Sequence, residues 1–153
     1  MITTWRIVDG RYADDAFSGE GSRRYKGRWH SAGVRIVYTC ASISLATLEL
    51  LVRTPRAQLL RDYVVASCTF PEALVTHIDM GRLPKNWRDY PAPPLLADLG
   101  NEWIRTRTSA VLAVPSAVTP EELNYILNVE HEHFRSVDLG SGRPFRIDLR
   151  LQT

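Results

Sequence analysis

The chain has 153 residues, of which 44% are hydrophobic and 24% are charged. This length suits one domain, and the composition is that of an ordinary globular protein, which excludes collagen, coiled coils and long disordered chains. Lys and Arg number 19 against 17 Asp and Glu, so the net charge is only +2. A charge this small does not require a polyanionic partner, and any electrostatic function must be local. We therefore expect a single domain spanning residues 1–153.

The apolar runs and the cysteines indicate the cellular compartment of the protein. The longest runs, such as SISLATLELLV, are shorter than the roughly 18 residues of a membrane span, and no signal-peptide pattern opens the chain. Cys40 and Cys68 lie in apolar, strand-like contexts without CxxC spacing, which predicts buried free thiols. We expect a cytoplasmic protein that does not contact a membrane.

The first half of the chain alternates strand and helix patterns. TTWRIVD predicts a strand, and the polar, glycine-bearing YADDAFSGEGSRRYKG predicts a loop. RIVYTCA predicts a second strand, and SISLATLELLVR has apolar residues at helical spacing. Ser42 or Ser44 can cap this helix, and Pro55 helps to end it.

The second half is richer in strands. YVVASCTF and ALVTHIDM predict strands separated by Pro71, and GRLPKNWRDYPAPP predicts a proline-rich connection. Residues 95–105 predict a helix interrupted near Gly100. VLAVPSAV predicts a strand ending at Pro115, and EHFRSVDLG and RPFRIDLRL alternate like strands. Because strands and helices do not alternate regularly, we predict an α+β fold in preference to a doubly wound one.

Glu49 interrupts an apolar stripe on the predicted helix. Helical spacing places Leu45, Leu48 and Val52 on one face with it. Burial of an unpaired carboxylate is costly, so this position predicts a paired carboxylate, a protonated one, or one that lines a cavity. The alternative is a rotated helix, in which Leu50 and Leu51 face inward and Glu49 is solvated.

The stretch RRYKGRWHSAGVR places five basic side chains and two aromatic ones around two glycines. Such a stretch could bind nucleic acid, hold a phosphorylated ligand or coat a solvated loop. Within it, Arg28 presents a planar fork suited to bidentate recognition of phosphate.

Three other positions have limited chemical meaning by themselves. Ser116 in VPSAV lacks the GxSxG pattern of a hydrolase nucleophile, so we assign it to hydrogen bonding. His131 and His133 have no evident third metal ligand, so we expect surface histidines and no metal site. Tyr38 in VYT is expected to be a half-buried strand aromatic.

Taken in order, GRWHSAG, VYT, SLATLE, VPSAV and ELNYILN resemble the RES domain family. The family is named for an arginine, a glutamate and a serine, which match Arg28, Glu49 and Ser116. The resemblance implies a mainly antiparallel, split β-core flanked by helices, similar to ADP-ribosyltransferases of the diphtheria toxin type. It also implies a bacterial toxin that consumes NAD by hydrolysis or phosphorolysis, without a separate cofactor. Some relatives instead ADP-ribosylate a protein.

The resemblance implies roles for individual residues. Glu49 would stabilise positive charge developing on the ribose, Arg28 would hold the pyrophosphate, and Ser116 would orient Glu49 or a ribose hydroxyl. Tyr38 would stack on nicotinamide, with Trp29 and His30 completing the NAD site, Trp29 as packing support. Relatives commonly have asparagine at the position of His30, and this chain has NVEHEHF where they often have NPxHPDF.

The resemblance also implies a partner. An antitoxin with an Xre-like helix-turn-helix region would cover the active site, and self-association or a hetero-oligomer is expected. The acceptor of the ADP-ribosyl group stays open between water, inorganic phosphate and a protein side chain. A module that binds nucleic acid through the basic stretch is the alternative from a different functional class, but it leaves Glu49 unexplained.

Overall fold

A computed structural model describes residues 1–152, which form one sheet flanked by helices. The strands are β1 (Ile2–Asp9), β2 (Ile36–Cys40), β3 (Tyr63–Phe70), β4 (Val75–His77), β5 (Val111–Pro115), β6 (Leu123–Asn128), β7 (Asp138–Leu139) and β8 (Arg143–Phe145). The helices are α1 (Glu20–Arg24), α2 (Ile43–Arg53) and α3 (Pro94–Thr106). Short 3-10 turns cover Gly10–Asp15, Arg56–Gln58, Glu72–Leu74, Met80–Arg82, Glu132–Ser136 and Leu149–Gln152.

The sheet has the strand order β4-β5-β6-β2-β1-β3-β7, and β8 also pairs with β3. Only the β4–β5 pair is parallel among the described strands. Strand β5 is buried along its whole length, because side chains cover both faces of the sheet there. The predicted α+β fold with a mainly antiparallel sheet is confirmed.

The sheet consists of two halves that join at one point. β1 pairs with β3 along its full length, and β2 pairs with β6 along its full length. Between β1 and β2, however, the only paired residues are Trp5 and Cys40. The predicted split of the β-core lies at this junction, because the two central strands diverge on either side of it.

Helix α2 packs against β1 and β2, and its buried side chains share an apolar cluster with Tyr63 and Val65 of β3. Ser42 caps it, since its hydroxyl accepts a hydrogen bond from the Leu45 amide at 3.0 Å. Leu45 and Leu50 are buried, whereas Leu48 is 38% exposed and Val52 is 65% exposed. The predicted inward face was therefore wrong for Leu48 and Val52, because the helix is rotated to pack Leu50 against the sheet.

Helix α3 covers the other half of the sheet and is continuous through Gly100, contrary to the predicted interruption. Leu96 and Trp103 are buried in a cluster with Trp29. Gly100 faces the backbone of Trp29 so closely that a Cβ atom there would lie 1.7 Å from the Trp29 carbonyl oxygen. The glycine is required for close packing of helix against loop and does not break the helix.

Other predicted elements change in extent. The predicted loop at residues 12–27 contains part of a 3-10 turn and all of α1. Most of EHFRSVDLG is a 3-10 turn, with only Asp138–Leu139 as strand, and RPFRIDLRL is strand only at Arg143–Phe145. These two strand predictions were too long, because both segments lie at the edge of the sheet and pair only with β3. Within residues 1–152, no helix has the length and apolar character needed to cross a membrane.

Candidate active site

The candidate site is a cleft of about 500 Å³ that opens where β1 and β2 diverge. A volume of this size is typical of sites for small ligands and cofactors. Its walls come from β1, α1, β2, α2, β6 and the loop that carries the basic stretch. The polar and aromatic side chains among the lining residues include those of Arg6, Tyr25, Lys26, Arg28, His30, Tyr38, Glu49, Arg53 and Asn124.

Glu49 lies in this cleft and is held through one of its two oxygens. Its Oε1 accepts hydrogen bonds from the Ser116 hydroxyl at 2.8 Å and from the Asn124 side-chain amide at 2.7 Å. Glu49 is half-buried, so it is neither solvated nor enclosed. Of the sequence alternatives, the carboxylate that lines a cavity is the one observed. Its Oε2 makes no hydrogen bond with the described residues and remains free for a ligand.

Ser116 is fully buried, and its hydrogen bonds fix the direction of its hydroxyl. The oxygen accepts from the backbone amides of Val118 at 3.1 Å and Thr119 at 3.2 Å. Because both of these groups donate, the single hydroxyl hydrogen is directed to Glu49. This geometry orients a carboxylate, and the Ser116 oxygen, which is fully buried and already accepts two hydrogen bonds, is not presented to a substrate as a nucleophile.

Arg28 lies at another wall of the cleft and is bound on one side by backbone. Its Nη1 donates to the carbonyl oxygens of Trp87 at 2.7 Å and Asp89 at 3.0 Å. Burial lowers the pKa of Arg28, and the nearby charge of Glu49 acts in the opposite direction. Both hydrogens of Nη1 are used, so the hydrogens on Nε and Nη2 remain for an anion.

Tyr38 and His30 form a linked pair beside the cleft. His30 is buried, its Nε2 lies 2.8 Å from the Tyr25 carbonyl oxygen, and its Nδ1 lies 2.7 Å from the Tyr38 hydroxyl. A carbonyl oxygen can only accept, so Nε2 carries the hydrogen and Nδ1 accepts from Tyr38. Burial lowers the pKa of His30 and raises that of Tyr38. Both ring nitrogens of His30 are therefore occupied within the protein, and the prediction that it contacts substrate stays a prediction.

Arg6 is a cleft residue that our sequence analysis did not identify. Its Nη1 donates to the Tyr38 carbonyl oxygen at 3.0 Å, so a side chain bridges β1 and β2 where their backbones have diverged. Burial, followed by repulsion from Arg53, lowers the pKa of Arg6 to about 10. Its Nε is buried without a hydrogen-bond partner, and no described carboxylate pairs with it. An arginine in this state is suited to an anionic ligand.

Asn124 was also missed. It lies on β6, opposite Cys40 of β2, and donates to Glu49. The available signal was a polar residue at the start of the otherwise apolar strand pattern LNYIL. Nothing in the sequence, however, indicated that this strand would lie beside α2.

The basic stretch separates into parts with different surroundings. Arg23 is exposed and pairs with Glu20 at 2.9 Å, and Arg35 donates to the Ser18 carbonyl oxygen at 2.8 Å. Lys26 and Arg28 line the cleft. Trp29 is buried against α3 and is absent from the cleft lining, a position that suits packing support. Its contact with substrate, like that of Tyr38, stays a prediction.

The buried thiols and the paired histidines lie outside the proposed chemistry. Cys40 and Cys68 are free and buried, as predicted, and burial raises the pKa of Cys40 to about 12. His131 is buried, which corrects the expectation of a surface residue, because its ring donates to the Arg107 carbonyl oxygen at 3.0 Å. Among residues 1–152, no cluster of three or more His, Cys, Asp or Glu could hold a metal ion.

Comparison with known proteins decides the family. The family model described as "RES domain" matches residues 3–148. The chain belongs to the RES domain family. A RES-family relative from Photorhabdus laumondii, named Toxin Res, is 36% identical over 148 residues, covering 96% of this chain and 95% of the relative. A relative from a Sphingobium species, named Prs ADP-ribosylating toxin, is 32% identical over 152 residues, covering 96% and 94% of the two chains.

The fold of this RES domain is also found in a solved structure. The crystal structure of the M. tuberculosis MbcT-MbcA toxin-antitoxin complex contains a chain that matches with a TM-score of 0.76 and 18% identity. The match covers 95% of this chain and 84% of the other. Similarity at this level of identity supports the fold, and the named relatives support the family.

Proposed function

We propose that this RES-family protein is the toxin of a toxin-antitoxin pair and that it cleaves the bond between nicotinamide and ribose in NAD. The observation that carries the proposal is a carboxylate with one free oxygen, Glu49, in a cleft that also contains Arg6 and Arg28. An anionic dinucleotide with a reactive cationic ring needs both kinds of charge. Names of relatives that contain the words toxin and ADP-ribosylating support the same reaction class.

Glu49 would act on the developing charge of the ribose. Cleavage of the C1′–nitrogen bond gives the sugar oxocarbenium character, and a fixed carboxylate stabilises that charge. Ser116 and Asn124 hold Oε1, so Oε2 is the atom proposed to face the ribose. Nicotinamide leaves with the bonding electron pair as a neutral ring, and the reaction needs no general acid to protonate it.

The two arginines would bind the pyrophosphate. Arg28 offers Nε and Nη2 because the backbone carbonyls occupy Nη1, and Arg6 has no carboxylate partner among the described residues. Charge-assisted bonds of this kind hold the dinucleotide in one pose, which lowers the entropic cost of the reaction. Tyr38 would contribute its ring face to nicotinamide, since its hydroxyl is already bonded to His30.

Two features of the proposal concern other molecules. The acceptor is water or inorganic phosphate in the main proposal, and transfer to a protein is the second candidate, supported by the name of the Sphingobium relative. The partner is proposed to be an Xre-type antitoxin that covers the cleft. The MbcT-MbcA complex supports an antitoxin as the class of partner.

The test is product analysis after incubation of NAD with purified protein freed of any partner, with and without inorganic phosphate. We expect free nicotinamide, together with ADP-ribose in water or its 1″-phosphate when phosphate is the acceptor. Glu49→Gln keeps an oxygen for Ser116 but removes the charge, and it should reduce turnover at least a hundredfold. Arg28→Lys keeps the charge without the planar fork and should mainly raise KM.

Two results would contradict the proposal. Intact NAD under both conditions, with folded protein and no target protein present, would leave only the transfer reaction. Full activity in folded Glu49→Gln would overturn the role of the carboxylate. Arg82→Lys is the matched control for the arginine variant, because Arg82 is exposed and outside the cleft lining.

A further inference from the structure

Residues 84–93, which we name the strap, follow Leu83 after the 3-10 turn Met80–Arg82, lead into α3 and lie against Arg28 of the candidate site. Backbone hydrogen bonds fold the strap on itself, from Trp87 to Pro84 at 3.1 Å and from Asp89 to Asn86 at 3.0 Å. The Trp87 side chain is half-buried in the same apolar cluster as Trp29. The strap is therefore an ordered segment that can transmit position.

One end of a chain of contacts through the strap is Arg28. The carbonyl oxygens of Trp87 and Asp89, on either side of Arg88, both accept from Nη1 of Arg28. These two bonds fix the plane of the guanidinium group. The orientation of the donors that remain for an anion thus depends on where the backbone of residues 87–89 lies.

The other end is the loop that holds Ser116. The Arg88 side chain donates from Nε to the Ala117 carbonyl oxygen at 3.0 Å and from Nη2 to the Val118 carbonyl oxygen at 3.4 Å. Val118 and Thr119 supply the backbone amides that bind the Ser116 hydroxyl. Arg88 therefore joins the strap, to which it belongs and which orients Arg28, to the loop that orients Glu49 through Ser116.

We infer that Arg88 is a positioning residue that fixes the position of the Arg28 guanidinium relative to the Glu49 carboxylate. Its backbone neighbours set Arg28, and its side chain sets the loop at residues 116–119. Arg88 is exposed, forms no ion pair among the described residues and does not line the cleft. Its side-chain hydrogen bonds go only to the backbone carbonyl oxygens of Ala117 and Val118. We call this link between the strap and the loop the clamp. The inference rests on the proposed function for its kinetic consequences alone.

The first test compares Arg88→Ala with Arg82→Ala. Arg82 lies two residues before the strap, is exposed and pairs with Glu102 at 3.0 Å, so it controls for loss of a surface arginine. Loss of two neutral-acceptor bonds predicts a fall of roughly three- to tenfold in kcat/KM for Arg88→Ala. Lysine cannot reach two carbonyls with a rigid fork, so Arg88→Lys should recover only part of the loss. Equal kcat/KM values for Arg88→Ala and Arg82→Ala would overturn the inference.

A second test separates positioning from a general structural effect. In a Ser116→Ala background, Arg88→Ala should no longer lower kcat. The Ser116 hydroxyl, through which the loop orients Glu49, is already absent there. Arg88→Ala should also raise KM, because the strap that orients Arg28 loses its contact with the loop, and this rise in KM should persist in the absence of Ser116. Fully multiplicative effects on kcat in the double variant would contradict the inference.

A third measurement does not depend on NAD. Hydrogen exchange at the Val118 and Thr119 amides should be faster in Arg88→Ala than in wild type or Arg82→Ala. If the wild type leaves NAD intact, the proposed function is contradicted, and faster exchange in Arg88→Ala would still support the positioning role of Arg88. Unchanged exchange at both amides would refute the clamp whatever the activity.

Discussion

Ser116→Ala is the most direct test of how the carboxylate is held. Ser116 is fully buried, and its hydroxyl makes three hydrogen bonds, one to Glu49 and two from backbone amides. The substitution removes a bond to a charged group and leaves the Val118 and Thr119 amides without their partner. Asn124 still binds the same oxygen of Glu49, so the carboxylate remains in the cleft but is less well fixed.

The size of the effect follows from the bond that is lost. A hydrogen bond to a charged group contributes about 1.5–3 kcal/mol. If that energy is expressed in alignment at the transition state, kcat falls by roughly 10- to 150-fold. KM for NAD should change little, because Ser116 does not touch the arginines proposed to bind pyrophosphate. The assay is steady-state release of nicotinamide, with unfolding monitored separately.

Ser109→Ala is the matched control. The Ser109 hydroxyl makes two hydrogen bonds: it accepts from the Trp103 indole at 2.9 Å and donates to the Val111 carbonyl oxygen at 2.8 Å. Ser109 lies outside the cleft lining. It should lower the midpoint of thermal unfolding without lowering kcat of the folded protein. An unchanged kcat in folded Ser116→Ala, or an equal loss in Ser109→Ala, would refute the proposed orientation of Glu49.

Three further outcomes test the fold and the pH response. Gly100→Ala should destabilise the protein by at least about 1–3 kcal/mol in urea unfolding, because its Cβ would overlap the Trp29 carbonyl oxygen; wild-type stability would contradict the close packing. Ser42→Ala should cost about 1 kcal/mol through loss of the helix cap, and no loss would mean that Ser44 substitutes for it. Burial lowers the pKa of His30 in the folded protein, so folding favours the neutral imidazole. The contribution of His30 to the free energy of unfolding is therefore fully present above the unfolded pKa of about 6.5 and is lost as the pH falls through the lower pKa of the folded protein. Thermal melts from pH 7.5 to 5 should therefore show a loss of stability that is smaller in His30→Asn, and identical pH profiles would count against it.

Local patterns were sufficient to predict the elements whose residues are satisfied by near neighbours. The strand TTWRIVD, the strand YVVASCTF and the helix ISLATLELLVR appear within a few residues of their predicted bounds, because periodicity and the Ser42 cap act over short distances. The predicted break at Gly100 failed for the opposite reason. From sequence alone, a glycine predicts a break in a helix. Only the structure shows that the Trp29 backbone approaches Gly100 too closely for any side chain.

The site was only partly accessible to the same reasoning. Glu49 could be singled out because a carboxylate in an apolar helix needs an explanation, and Arg28 because its surroundings were unusual. Arg6 and Asn124 could not, since each looks like an ordinary polar residue in a strand. Their importance depends on strand order, which places β1, β2 and β6 side by side although they are far apart in sequence.

The divergence of β1 and β2 explains why a site exists here at all. Two strands paired along their length leave no room between them, but a single pair at Trp5 and Cys40 opens the sheet beside it. Opening exposes backbone groups that would otherwise be paired, and Arg6 satisfies one of them by donating to the Tyr38 carbonyl oxygen. Arg6 therefore both binds a backbone carbonyl oxygen that has lost its strand partner and places a cation in the cleft. Loss of a backbone pairing and gain of an anion-binding wall are therefore two consequences of one change in the sheet.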